Sequence, residues 1–134
     1  MKPTGTWRVG IDLVQVSRVA ESLEHFGDRF LRRVFTDGEI AYAASSPASA
    51  PERLAARFAA KEATMKALGL VEDPCDWRHI EVLRAPSGAC DLALHGRVRE
   101  AAARLGAESF ALSLSHEGDY ATAVVITTIH ETTP

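Results

Sequence analysis

The feature that most constrains this chain is an uninterrupted run of helix-forming residues from Pro51 to Leu68. Proline is tolerated in the first turn of a helix, and Gly69 is a favourable residue just beyond its end. At about 100° per residue, the large apolar side chains form one stripe and alanines cover much of the remaining surface. Because a helix that is apolar on nearly every side is buried, the sequence predicts one long helix inside the core.

Charged residues interrupt this apolar helix at Lys61, Glu62 and Lys66. Only one arc has the composition of a solvated surface, and it carries Arg53, Arg57 and Thr64. A buried charge costs several kcal/mol unless it has a partner. The ordinary explanation is a surface ion pair between Glu62 and Lys66, which are four residues apart. The alternative is a site in which these charges meet groups from elsewhere in the chain.

A strand with alternating polarity is predicted over Trp7–Val14. The alternation places Val9, Ile11 and Leu13 on one face and Asp12 on the other. Asp12 is therefore a further charged group set between apolar neighbours, and it also requires a partner.

Periodicity and turn residues predict the remaining elements, in which helices and strands are interspersed. Helices are expected from Ser17 to near Gly27, from Asp28 to about Val34, from a Thr36–Glu39 capping box through Tyr42, and over Arg97–Leu105; strands are expected around Ile80–Leu83 and over Cys90–Leu94, Ser109–Ser115 and Tyr120–Ile129. The segment Ser45–Pro51 has the composition of a mobile loop. Most strands are hairpin neighbours, which favours an α+β fold with a small antiparallel sheet wrapped around the long helix.

Length and composition limit the classes to which the chain could belong. Its 134 residues predict a single domain over 1–134, and 46% hydrophobic with 25% charged residues is typical of a globular protein. Without an apolar run of ~20 residues or a signal-peptide pattern, we expect a cytoplasmic protein with no membrane contact. The net charge of −3 argues against a nucleic-acid partner. Cys75 and Cys90 are expected to remain thiols, and no residue spacing predicts a zinc site.

The carboxylates and lysines suggest a common chemistry, provided that the strand packs against the helix. Asp12 and Glu62 offer hard oxygen ligands, which suit Mg²⁺ when phosphate oxygens of a substrate complete its coordination. Lys61 and Lys66 add positive charge for the same phosphate. The residues alone thus predict a divalent cation bound together with a phosphate ligand.

Three segments in this order resemble the signature of a known family. They are Gly10-Ile11-Asp12, then Arg57–Gly69 about fifty residues later, and finally Ser113–His116 with Tyr120-Ala121. The pattern resembles that of the 4'-phosphopantetheinyl transferases, and the short chain resembles their small class, the holo-acyl-carrier-protein synthases. The resemblance extends over nearly the whole chain, from Val9 to Ile126.

The resemblance implies an enzyme that transfers 4'-phosphopantetheine from coenzyme A to a serine hydroxyl of an apo acyl carrier protein, releasing 3',5'-ADP. The pathway implied is fatty-acid or polyketide biosynthesis. By the same resemblance, Asp12 and Glu62 bind Mg²⁺, and Lys66 contacts the phosphates at the reacting end. It also implies a homotrimer with one site at each subunit interface.

Further residues take ligand-binding roles by the same resemblance. Arg57, Phe58 and Lys61 are expected to border the coenzyme A pocket, although Arg57 lies on the arc that looks solvated. Ser115 and His116 are expected to reach the nucleotide from a neighbouring subunit. The alternative for His116 is a turn histidine bonded to its own backbone.

A basic surface near the start of the chain resembles the face on which the acidic carrier protein docks. It consists of Arg18, Arg29, Arg32 and Arg33. Such a patch mainly raises the encounter rate and sets the orientation of the partner. The alternative is an ordinary solvated face.

Some positions depart from the family pattern. Glu117 follows the tail Ser-His, where the family usually has threonine, and Ala56 replaces a glycine before Arg57. The extra negative charge of Glu117 motivates an alternative function, a non-catalytic module that binds carrier protein or coenzyme A and retains the fold. The presence of Asp12, Glu62 and Lys66 favours the enzyme.

Overall fold

The long helix predicted from the sequence is the central element of the fold. The computed structural model describes residues 5–72 and 75–130. In chain order the elements are β1 Gly5–Gln15, α1 Val16–Phe26, α2 Asp28–Val34, α3 Asp37–Ala44, α4 Ala50–Leu68, β2 Ile80–Arg84, β3 Cys90–Leu94, α5 Gly96–Leu105, β4 Phe110–Glu117 and β5 Tyr120–His130. Among the described residues, no helix has both the length and the apolar character needed to cross a bilayer.

The strands form two antiparallel sheets, which confirms the predicted α+β class. The larger sheet has the order β1-β5-β4, and the smaller one is the β2-β3 hairpin. Strand β5 lies at the centre of the larger sheet, with Gly10 of β1 opposite Val125 and Leu112 of β4 opposite the same residue. Helix α4 packs against β1 and β5 on one side and contacts α1, α3 and β2 elsewhere.

Small side chains allow α4 to lie unusually close to this sheet. Ala59, Ala60, Ala63 and Ala67 are fully buried and face apolar residues of the sheet such as Val125. Alanine loses little side-chain entropy in a helix and adds little bulk at a contact. The alanine-rich surface is therefore a packing surface, as the sequence predicts.

At Gly10 the backbones of β1 and α4 are in direct contact. A Cβ atom built on this glycine would lie 1.9 Å from the carbonyl oxygen of Ala63 and 2.9 Å from the amide nitrogen of Ala67. Neither backbone atom can move away without breaking the helix, so only glycine fits here. The close contact with α4 therefore explains why glycine begins the Gly10-Ile11-Asp12 segment.

As the alternation predicts, the apolar residues of β1 share one face and Asp12 lies on the other, but the apolar face points away from α4. Val9, Ile11 and Leu13 are 63–64% exposed in the single chain, and Trp7 on the same strand is 75% exposed. The face that meets α4 is instead the one carrying Gly10, because only that residue allows the helix close enough. The apolar alternation therefore marks a second surface and does not mark the core.

The prediction that one arc of α4 faces solvent was wrong. Arg57 is only 5% exposed and Thr64 is fully buried, with its hydroxyl donating to the Ala60 carbonyl at 2.7 Å. Packing of α3 and the β2-β3 hairpin around α4 covers this arc. The polar residues of this arc gave no sign that two further elements pack against it.

The short helices begin close to their predicted positions. Thr36 and Glu39 form the predicted capping box at the start of α3. Helix α1 differs, because Ser17 lies inside it and its amide and hydroxyl both donate to the carboxylate of Asp119. The segment predicted as a loop contains a 3-10 turn at Pro47–Ser49 and the first residues of α4.

We expect Gly10→Ala to destabilise the protein by more than about 2 kcal/mol, since overpacking a rigid contact costs that much or more. Chemical denaturation monitored by circular dichroism would measure the loss. Gly5→Ala is the matched control on the same strand, because its nearest new neighbour is the His130 side chain at 3.3 Å, which can rotate. Equal stability of the two variants would contradict this role for Gly10.

Candidate functional site

The contact between β1 and α4 brings Asp12 and Lys66 together. The Lys66 ammonium lies 3.1 Å from Asp12 Oδ1 and donates to the Ile11 carbonyl at 3.0 Å. The Asp12 backbone is itself held, because Thr122 Oγ1 on β5 donates to its carbonyl at 2.8 Å. The Asp12 side chain keeps 18% exposure, so it remains accessible from solvent.

Glu62 belongs to the same charged cluster. Partial burial raises the pKa of its carboxyl group, the neighbouring Asp12 raises it further, and Lys66 works in the opposite direction. Among the described residues, Lys66 forms an ion pair with Asp12 but none with Glu62 within 4 Å. The ordinary explanation, a surface pair between Glu62 and Lys66, is therefore wrong. The two carboxylates instead form a site of concentrated negative charge.

Asp12 and Glu62 open onto a groove of about 420 Å³, here called the carboxylate groove. Val14, Arg18, Phe30 and Phe58 also line it. Because Arg18 is in the first turn of α1, this groove reaches from the carboxylate pair to the basic surface predicted from the sequence.

The donor set of this groove suits a hard cation that is completed by a ligand. Within the ranges 5–72 and 75–130, no group of three His, Cys, Asp or Glu side chains is arranged to hold a metal ion. Two carboxylates are what Mg²⁺ commonly takes from a protein when phosphate oxygens and water supply the other ligands. Asp12 and Glu62 therefore fit Mg²⁺ bound with a phosphate, and they do not form a complete metal cage.

A second opening of about 420 Å³ lies on another side of α4 and is here called the arginine cavity. Its walls include Tyr42, Arg53, Arg57, Arg84, Ser115 and His116. Of the described residues that line it, Glu52 is the only acidic one, and its carboxylate lies 3.5 Å from His116 Nδ1. The cavity is thus predominantly cationic and is suited to an anion.

Arg57 is a buried cation at this cavity. Burial lowers the pKa of its guanidinium, and none of the described Asp or Glu oxygens forms an ion pair with it. Within the described part of the chain, its guanidinium makes one hydrogen bond, a long one of 3.5 Å to the Arg53 carbonyl. A guanidinium in this state is not a solvated surface group, and it would gain strongly from an anionic ligand.

His116 is not a turn histidine. It lies within β4 opposite Ala121, is 57% exposed, and faces Glu52 at the arginine cavity. Glu117, the residue that departs from the family pattern, does not line this cavity. The structure therefore places Ser115, His116 and Arg57 around one opening of a single chain.

The predicted role of Lys61 beside the ligand needs correction. Its side chain is fully buried, and its ammonium pairs with Glu39 at 2.7 Å. It also donates to the Trp77 carbonyl at 3.0 Å and to the Ile80 carbonyl. With these partners inside the core, the ammonium does not reach either opening, so we no longer assign Lys61 to the ligand.

Glu39 completes this buried network and was missed as a key residue. Its Oε1 accepts from the Thr36 amide at 3.0 Å as well as from Lys61, and its Oε2 accepts from the Val82 amide at 2.9 Å. The capping box revealed one task of Glu39, but nothing local to the sequence indicated that α4 and β2 share the same carboxylate.

The other predicted residues are divided between the two openings and the surface. Phe58 lines the carboxylate groove and packs against Trp77, with 5.4 Å between ring centroids. All four predicted docking arginines are exposed; Arg18 is on α1, and Arg29, Arg32 and Arg33 are on α2. Of these, only Arg18 lines the carboxylate groove. Tyr42, Arg53 and Arg84 were not predicted as site residues.

Residues 8–125 match the family model described as the 4'-phosphopantetheinyl transferase superfamily. A holo-acyl-carrier-protein synthase of Koribacter versatilis is 48% identical over 118 residues, covering 87% of this chain and 94% of that protein. The enzyme of the same name from Moorella thermoacetica is 44% identical over 119 residues, with coverage of 87% and 90%.

Solved structures that resemble this chain belong to enzymes of the same name. The chain is similar to the ACPS-CoA complex of Chronobacterium ammoniagenes, with a TM-score of 0.83, 36% identity and coverage of 94% and 99% of the two chains. It is also similar to Helicobacter pylori holo-acyl-carrier-protein synthase in complex with coenzyme A, with a TM-score of 0.77, 28% identity and coverage of 89% and 98%.

We expect Lys61→Met to destabilise the protein by about 3 to 5 kcal/mol, because it leaves the buried Glu39 carboxylate without its cation. The double variant Glu39→Leu with Lys61→Met should recover part of that loss, since neither buried charge remains; the rest stays because the Thr36 and Val82 amides lose their acceptor. Denaturant titrations of both variants and the parent provide the measurement. A single variant as stable as the parent would contradict the structural role of the pair.

Proposed function

Because the chain belongs to the 4'-phosphopantetheinyl transferase superfamily, we propose that it acts as a holo-acyl-carrier-protein synthase. It would transfer 4'-phosphopantetheine from coenzyme A to a serine hydroxyl of an apo acyl carrier protein and release 3',5'-ADP. The observation that carries this proposal is the meeting of Asp12, Glu62 and Lys66 at one groove. The similar proteins are named holo-acyl-carrier-protein synthases, and two of their structures contain coenzyme A. Both facts support coenzyme A as the substrate.

The charges at the carboxylate groove suit a phosphoryl-type transfer. The serine oxygen forms a bond to the phosphorus that carries the pantetheine, and the bond from that phosphorus to the departing 3',5'-ADP breaks. Such a reaction needs positioning and charge neutralisation more than a nucleophile on the protein. Lys66 would offset the charge that develops on the leaving phosphate, and a carboxylate, or a water bound to one, would accept the serine proton.

Asp12 and Glu62 are the residues that would hold Mg²⁺. The raised pKa of Glu62 beside Asp12 supports this role, because like charges held close together are stabilised by a cation between them. When bound, the ion would neutralise pyrophosphate oxygens of the substrate. Bringing two carboxylates together without such a ligand costs stability, which is typical of a functional site.

The arginine cavity is suited to the nucleotide end of coenzyme A. Its arginines, with Ser115 and His116, offer donors to phosphate oxygens, and the buried Arg57 has no competing carboxylate among the described ion pairs. Glu117 is not among the residues that line this cavity in the single chain, which favours the enzyme over a non-catalytic module.

We further propose that the protein works as a homotrimer with shared sites. In one chain, the Asp12 and Glu62 groove and the Ser115 and His116 cavity are separate openings. The exposed apolar face of β1 is a surface that another copy would cover, since patches of this kind mark interfaces. Pairing copies through this face would let one subunit complete the site of the next.

The exposed arginines of α1 and α2 are suited to an acidic carrier protein. Arg18 adjoins the carboxylate groove, so a carrier bound across these helices would present its serine near Asp12 and Glu62. Fatty-acid or polyketide carriers in the cytoplasm are the substrates we propose.

We expect the purified protein, coenzyme A and Mg²⁺ to add mass to an apo carrier protein, measured by intact-protein mass spectrometry. Glu62→Gln should lower kcat by about 10² to 10³. The substitution removes one of the two carboxylates that we propose hold Mg²⁺, and with it the charge neutralisation of the reacting phosphates. Glu100→Gln, an exposed position on α5, is the matched control. Chelation should stop transfer and added Mg²⁺ should restore it. The absence of a mass gain with fatty-acid and polyketide carriers would overturn the proposed function.

Light scattering should give a particle of about three times the chain mass of 14.5 kDa. Ile11→Arg should dissociate it and reduce transfer, because a charge would enter the proposed interface. Val71→Arg, which also replaces an exposed apolar side chain, should leave the particle intact. A fully active monomer would contradict the shared site.

A further inference from the structure

Tyr42 is the centre of an aromatic and cationic cluster at the arginine cavity. The guanidinium carbon of Arg53 lies 4.2 Å from the centroid of the Tyr42 ring, and that of Arg57 lies 4.3 Å from it. Arg84, from β2, lies 5.4 Å from the same centroid. One ring on α3 therefore contacts cations from α4 and β2, and all four residues line the cavity.

The Tyr42 ring is a direct electrostatic partner of Arg57 inside the protein. Arg57 is 5% exposed and has no described carboxylate within ion-pair distance. A cation over an aromatic face is stabilised by the ring quadrupole, and more strongly where water is excluded. The Tyr42 ring thus partly offsets the cost of burying Arg57 while leaving its charge unneutralised.

Tyr42 also fixes Arg53 through its backbone. Arg53 Nη1 donates to the Tyr42 carbonyl at 2.8 Å and to Ser45 Oγ at 3.0 Å, and Ser45 Oγ donates to the same carbonyl at 2.6 Å. The Arg53 guanidinium is thereby fixed by the face of the Tyr42 ring and by hydrogen bonds at the C-terminal end of α3. Its position is set before any ligand arrives.

The closely spaced guanidinium groups of Arg53 and Arg57 favour the binding of an anion. Burial is the main cause that lowers the pKa of Arg57, and the like charge of the neighbouring Arg53 lowers it slightly further. Guanidinium groups in fixed positions match phosphate oxygens better than mobile ones, because less side-chain freedom is lost on binding. A phosphate entering the cavity would relieve the repulsion and pair with groups that are already in place.

We propose that Tyr42 is a positioning residue whose ring holds Arg53 and Arg57 in place for a phosphate group of the nucleotide ligand. This inference rests on the proposed function. The face of the ring performs the role, since the contacts described run through the ring and the backbone carbonyl. Tyr42 therefore sets the affinity for the phosphate-bearing substrate, and the reacting centre at Asp12 and Glu62 lies elsewhere.

Calorimetric titration with adenosine 3',5'-bisphosphate tests this role directly. Tyr42→Phe keeps the ring and should bind the bisphosphate as the parent does. Tyr42→Leu removes the ring and should weaken binding about tenfold. Tyr120→Leu removes the other tyrosine of the chain, which lies at the β4-β5 turn outside the cavity, and is the matched control. Thermal unfolding of each variant checks that it is folded.

Steady-state kinetics provide the second readout. Tyr42→Leu should raise the KM for coenzyme A about tenfold while kcat changes less than about twofold, because binding and not chemistry is affected. If Tyr42→Leu does not fold, Arg53→Met removes one guanidinium of the cluster and should weaken binding in the same direction.

The outcomes separate the two proposals. Transfer by the parent, together with unchanged bisphosphate affinity in the Tyr42→Leu and Arg53→Met variants, would overturn the role of Tyr42 alone. Equal weakening by Tyr42→Phe and Tyr42→Leu would also overturn it, since the hydroxyl would then be the active group. A parent that neither binds the bisphosphate nor modifies a carrier protein would overturn both proposals.

Discussion

The contact between the backbone of Gly10 and the carbonyl of Ala63 is the constraint on which the rest of the structure depends. Side chains ordinarily separate a helix from the sheet it packs on, whereas here the missing Cβ of Gly10 and the row of alanines bring the two backbones into direct contact. This proximity puts Asp12 within ion-pair distance of Lys66 and within electrostatic reach of Glu62. The charged cluster is therefore a consequence of backbone packing and not of a flexible loop.

A second interaction sets the rotation of α4 about its own axis. The buried pair of Glu39 and Lys61 joins α3, α4 and β2, and its geometry satisfies both oxygens of the carboxylate. Because Glu62 follows Lys61 directly, anchoring the lysine in the core turns the next residue towards β1. The desolvated pair favours one orientation of the helix, which is a specificity role that buried polar groups serve in some proteins.

Local patterns predicted the extent of α4, the Thr36–Glu39 capping box and the hairpin strands, because each depends on neighbouring residues in the sequence. The charges set among apolar residues pointed to Asp12, Glu62 and Lys66, and the family resemblance added their roles; the structure brings the three to one cluster. Tertiary packing decided the rest. The burial of Arg57, for instance, depends on α3 and the β2-β3 hairpin, and no periodicity within α4 reports those neighbours.

The alternation along β1 has a consequence for how this strand tolerates change. Its even-numbered positions supply Gly10 and Asp12 to α4, while the odd-numbered Val9, Ile11 and Leu13 point to the other side of the sheet. Insertion or deletion of one residue would exchange the two sets, since side chains alternate with a period of two. A single slip would thus remove the carboxylate and drive an apolar side chain into the helix backbone. The charged cluster and the outer apolar surface therefore depend on the same register of β1.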